Sequence, residues 1–169
     1  MATAEYYARL FDYEARCTDL VMKSLHGAKE TVEQLGLASL AAPYERAVAI
    51  FCHIQAARRL WLNRIDAGAT AAPEDGLFPI WDIRKAERQA HELDELWPKY
   101  IATLPGKELM QPIAYTSTEG VAYESALADI LTHVVNHSTY HRGQIANLVA
   151  ATGTKPEVTD FIALTRRTV

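Results

Sequence analysis

The stretch His133-Val134-Val135-Asn136-His137-Ser138-Thr139-Tyr140-His141-Arg142-Gly143-Gln144-Ile145 decides the reading of this chain. It lies within a segment of helical periodicity predicted over residues 123–152 and ended by Gly153. Residues four apart on a helix share one face, one turn above the other, so His137 and His141 can grip a single divalent ion. At about 100° per residue, Leu127, Val134 and Ile145 cluster about 60–80° from His137 and mark the apolar stripe. His141 lies about 40° from His137 toward that stripe and points closest to the core. His133 lies about 40° the other way and is the most peripheral, so a metal takes His137 and His141 before it.

Three further segments share this periodicity. The first covers residues 6–25, with Leu10, Cys17, Leu20, Val21 and Leu25 on one side. The second covers residues 44–67, with Ala47, Ile50, Ile54, Ala57, Trp61 and Ile65 as its stripe. Pro43 suits its first turn and Gly68 its stop. The third covers residues 80–103, where Pro98 is expected to kink or shorten the helix. Pro73, Gly76 and Pro79 mark a long loop between the second and third segments. Residues 110–115 and 121–123 flank a Gly-bearing loop at 116–120, the pattern of a small β-hairpin. The tail after Gly153 reads as a short turn or helix folding back. Four amphipathic helices with little strand predict an all-α fold, a four-helix bundle with a small hairpin between the third and fourth long helices.

With 169 residues the chain is read as one domain, residues 1–169, able to bury roughly 70% of its unfolded surface. The net charge of −4, with no local cluster of Lys or Arg, argues against nucleic-acid binding. No apolar stretch approaches the length of a membrane span, and residues 1–7 lack the charged and apolar regions of a leader. Cys17 and Cys52 form no Cys-x-x-Cys and read as reduced, packed thiols of a cytoplasmic protein.

His53 sits beside the second stripe, where it can face the fourth helix across the core. Three imidazoles from two helices leave coordination positions open, as catalytic metal sites require. His26, beside Gly27, is expected to close the first helix, where a cation suits the dipole. His91 lies among charges with no partner at ligand spacing. Ser138 follows His137 where a zinc protease would carry Glu. The chain has no Glu-x-x-His of a di-iron bundle, no Gly-x-Ser-x-Gly and no phosphate loop.

The run from His133 to Ile145 resembles the signature of the DinB-like (damage-inducible, YfiT-related) metal-binding bundles. The similarity extends to His53 in a helix ending Trp61-Leu62-Asn63-Arg64, to the hairpin with Gly120, and to Thr159-Asp160-Phe161-Ile162 near the end. The resemblance implies a divalent metal held by His53, His137 and His141, with zinc, nickel, iron or manganese used by different members. It also implies a homodimer, and in several relatives a transferase or isomerase reaction with bacillithiol, mycothiol or glutathione. The leading expectation is a metal-dependent transferase joining a low-molecular-weight thiol to an electrophilic small molecule. A metal-binding stress protein without catalysis and a metal-dependent hydrolase are the alternatives. Gln144, Tyr140 and Asn136 are candidates to orient ligands or the histidines' second nitrogens, and His133 to stand at the cleft. Arg142, about 100° from His141 on the helix, is expected in a surface ion pair or a dimer contact.

Overall fold

The structure, a computed structural model, describes residues 3–104 and 108–167. Met1 and Ala2, part of the segment read as lacking a leader, lie outside the described residues. Four long helices, α1 (Ala4–Leu35), α2 (Ala38–Ile65), α3 (Ile83–Ala102) and α4 (Leu127–Ala151), form the predicted bundle. The hairpin β1 (Pro112–Thr116) and β2 (Ala122–Ala126) stands between α3 and α4, preceded by a 3-10 turn at Glu108–Met110. A short α5 (Phe161–Thr165) follows. α2 and α4 form the most extensive helix pair, while α3 packs on α1 and α2. Among the described residues, no helix is long and apolar enough to cross a membrane.

Several boundaries differ from the sequence pattern for local physical reasons. α1 runs ten residues beyond Leu25 and stops at Gly36, whose positive φ of 62° lets its N–H reach the Val32 carbonyl. Gly27 lies inside the helix because the returning tail crosses there. A Cβ on Gly27 would stand 3.3 Å from the Thr154 methyl. His26 therefore closes no helix; its Nε2 meets the Glu87 carboxylate on α3. α2 begins at Ala38, so Pro43 sits past its first turn, at the cost of one backbone bond. Gly68 does end α2, its N–H closing on the Asn63 carbonyl at 2.9 Å. Asp82 caps α3 through the Lys85 N–H, and the helix continues past Pro98 to Ala102 with Trp97 and Ile101 buried beside it. The hairpin exists as expected, but β2 takes residues 122–126, so α4 starts at Leu127.

The core has two apolar clusters. One gathers Leu25, Phe51, Cys52, Ile54, Ile145 and Val149. The other gathers Phe11, Leu62, Leu93, Trp97, Leu131 and Val134, with the Phe11 and Trp97 rings stacked 4.5 Å apart. Between the two, each long helix contributes polar groups. Arg142 on α4 donates to the Glu14 carboxylate on α1 at 2.7 Å, to the Tyr13 hydroxyl at 3.0 Å and to Thr139 at 2.7 Å. Arg58 on α2 donates to Gln55 at 3.0 Å and to Asp94 on α3 at 2.6 Å. Arg142 was expected at the surface; it does form an ion pair, but it is only 5% exposed and Glu14 only 2%. The projection of α4 alone could not show that α1 brings a carboxylate to that side.

Candidate metal centre

α2 presents His53 and α4 presents His137 and His141, all half-buried, where these two helices pack most closely. Their ligand nitrogens all lie within 4.8 Å of one another. His53 Nε2 and His137 Nε2 are 3.2 Å apart. That matches the edge of a tetrahedron with metal–nitrogen bonds of about 2.0–2.1 Å, which is about 3.3 Å long. The three rings contact one another edge-on, with centroids 4.5 to 5.0 Å apart.

The donor set suits a metal because the second nitrogens of His53 and His141 are occupied. His53 Nδ1 donates to the Leu77 carbonyl at 2.8 Å, which places its proton on Nδ1 and the lone pair on Nε2. His141 Nδ1 is 2.9 Å from Gln144 Oε1, which fixes that ring the same way with the amide oxygen facing it. Burial lowers the pKa of His53. His137 is pushed down to about 3, first by burial and then by the neighbouring histidines. Both are neutral at physiological pH, as ligation requires.

His133 is exposed on the helix, with its ring against Trp61 at 5.4 Å and 5.7 Å from His137, and it stands outside the group of three. This agrees with its peripheral place in the projection. The projection also put His141 closest to the core, yet His137 and His141 are both half-buried. A helical wheel sees only its own helix, and His53 from α2 meets both rings edge-on, at 5.0 Å from His137 and 4.8 Å from His141. Gln144 does support a histidine. Tyr140 is 66% exposed and only leans its ring edge on His141 at 5.1 Å. Asn136 is exposed and its side chain forms no hydrogen bond to these histidines. His91 is likewise exposed and stands apart from the three.

The histidines separate two clefts. The larger, about 840 Å³, is walled chiefly by Tyr44, Val48, Ile50, Phe78, Ile80 and Trp81, and His53 and His141 line its inner side. The smaller, about 280 Å³, lies under the hairpin, with Trp61, Arg64, Tyr115 and His133 around it, and His53 and His137 line its inner side. The loop between α2 and α3 closes over His53, and the Phe78 ring stacks on the imidazole at 4.6 Å and 3° between planes. The sequence pattern missed the Leu77 carbonyl, since a backbone acceptor has no residue signature. It also missed Phe78, although an aromatic in a Gly/Pro-rich loop was a signal that something there is covered.

A model of the DinB family matches residues 17–168 of the chain. The Protein DinB of Bacillus subtilis (strain 168) is 21% identical over 163 residues, covering 94% of this chain and 92% of that relative. No solved structure matches.

Proposed function

Because the chain belongs to the DinB family, we propose that it binds a divalent metal through His53, His137 and His141. We further propose that it transfers a low-molecular-weight thiol onto an electrophilic small molecule. The observation that carries the reading is the three-imidazole set between two clefts, its ligand nitrogens within 4.8 Å of one another and Nδ1 of His53 and His141 already engaged. A divalent ion held by three neutral imidazoles supplies a Lewis acid that lowers a thiol's pKa. Such a set accepts zinc, nickel, iron or manganese, with availability deciding among them.

In the reaction, the thiol gives up its S–H proton and a sulfur lone pair forms the bond to the electrophilic carbon. The leaving group departs with the electron pair it shared with that carbon. The residues of the chain hold the two reactants on either side of His53 and exclude water. The apolar wall of the larger cleft suits the electrophile, and its volume is in the range of drug-sized ligand sites. His133 stands over the smaller cleft with its pKa lowered by desolvation, and this neutral imidazole takes the thiol proton. The reading places the protein in the cytoplasm as a homodimer acting under chemical stress, and two free, buried cysteines support a reducing compartment.

The test has two parts. Protein purified without an affinity tag is analysed for bound metals, alongside His53→Ala, His137→Ala and His141→Ala and their combination. Stoichiometric metal in the triple variant would place the site elsewhere. The metal-loaded protein is then incubated with common cell thiols and a chloro-dinitrobenzene. Conjugate and chloride should form faster than in buffer; metal binding with no acceleration for any thiol would leave a metal-binding protein without this catalysis.

A further inference from the structure

Among the described residues, the smaller cleft carries one formally charged side chain in its lining, Arg64 near the end of α2, and no carboxylate. Its guanidinium lies 4.8 Å from the Trp61 ring centroid and 5.1 Å from that of Tyr115. One edge is fixed by Nη2 donating to the Thr116 carbonyl of the hairpin at 2.6 Å. The remaining N–H groups have no protein partner among the described residues, and no Asp or Glu there stands within ion-pair distance. A half-buried cation set against two aromatic rings, with no counter-ion among the described residues, offers its remaining N–H donors to whatever enters. The same cleft reaches His53 and His137 on its inner side. Its volume of about 280 Å³ lies at the lower end of small-molecule sites, suited to a metabolite and not to a bulky ligand.

We propose that this cleft is a carboxylate subsite, in which Arg64 receives the carboxylate of a small molecule whose other end faces His53 and His137. Under the transferase reading, on which this assignment of the two ends rests, that molecule is the thiol, and the larger apolar cleft is left to the electrophile. Arg64 is then a specificity-determining residue that separates thiols bearing a carboxylate from neutral ones. The guanidinium–carboxylate pair is charge-assisted on both sides and is bidentate in its favourable geometry.

The test compares 3-mercaptopropionate with 3-mercapto-1-propanol, which differ in the carboxylate, by calorimetric titration into the metal-loaded protein. Propionate and inorganic phosphate serve as competitors. The acid should bind about tenfold or more tightly than the alcohol, and propionate should compete better than phosphate. Arg64→Gln should erase the preference, and Arg64→Lys should keep part of it through charge without the fork. Thr118→Asp, an exposed change in the hairpin loop that adds a carboxylate to the lining, should erase it with Arg64 still present. Equal binding of acid and alcohol, or a preference that survives Arg64→Gln, overturns the proposal. Phosphate competing as well as propionate overturns the carboxylate assignment. Because the readout is binding, failure of the transferase reading leaves the preference measurable. Conversely, conjugation that runs equally well with both thiols keeps the transferase and removes the subsite.

Discussion

Arg142 follows a metal-ligand candidate in sequence, yet its guanidinium crosses the bundle to Glu14 on α1, 2.7 Å from Nη1 to Oε1, with both side chains almost fully buried. Removing one partner leaves an uncompensated charge in the core, whereas replacing both with apolar groups does not. Glu14→Leu and Arg142→Met should each cost about 3–5 kcal/mol of unfolding free energy. The double variant should recover most of that loss. Urea denaturation of the four proteins forms the cycle, and additive losses would contradict the pairing.

Gln144 touches no metal in this scheme but accepts from His141 Nδ1. Gln144→Leu keeps the volume and removes the acceptor, so the ring is free to turn. Groups behind metal-bound histidines are worth about 10–100-fold in affinity. A competition titration with a chromogenic chelator should show a loss of that size, with the helical circular dichroism unchanged.

The metal-free protein should lose stability on acidification. The pKa values of His53 and His137 are lowered on folding, so below the unfolded value of about 6.5 the unfolded chain binds protons that the native one does not. Stability is therefore fully present above about pH 6.5 and declines as pH falls toward about 3, where His137 itself titrates. The slope is at most about 1.4 kcal/mol per pH unit for each histidine, and solvent screening of these half-buried rings reduces it. Melting temperatures of wild type and His137→Gln between pH 7.5 and 4.5 should diverge, the variant falling less steeply.

Cys52 is fully buried and its thiol is pushed up to about 11 by burial; Cys17 is also buried with a raised pKa. Neither supplies a thiolate at neutral pH. An aromatic disulfide reagent should release less than a tenth of the colour expected for two thiols from the native protein. Full release should follow denaturation.

Gly27 sets helix propensity against crowding. Alanine gains about 1 kcal/mol in a helix interior, but its methyl meets Thr154, whose hydroxyl is held by Thr31 and Thr152. Gly27→Ala alone should be near neutral. On a Thr154→Ser background, which keeps those bonds and removes the methyl, it should gain about 1 kcal/mol by chemical denaturation.

The four long helices and the hairpin were legible because apolar periodicity and Gly or Pro punctuation are local signals. His53, His137 and His141 were legible because ligand spacing on one helix and an edge position on another are both visible in a single chain. The extension of α1 past Gly27 was not, since only the returning Thr154 explains a glycine there. The Leu77 carbonyl, the buried Arg142–Glu14 pair and the aromatic rings beside Arg64 depend on what other elements bring to them. A pattern along one helix carries no record of its neighbours.

The polar layer bears on how a metal would load at the three histidines. Gln55 and Arg58 share α2 with His53, Arg142 follows His141 on α4, and Glu14 reaches Arg142 from α1. Sliding α4 along the bundle far enough to scatter the imidazoles would break the buried Arg142–Glu14 pair. On the metal-binding reading, the apolar clusters and ion pairs would hold the frame without an ion, unlike small zinc domains that fold only around their metal. A metal held by the three histidines would then enter and leave without the polypeptide unravelling, so its loading would follow supply and not synthesis.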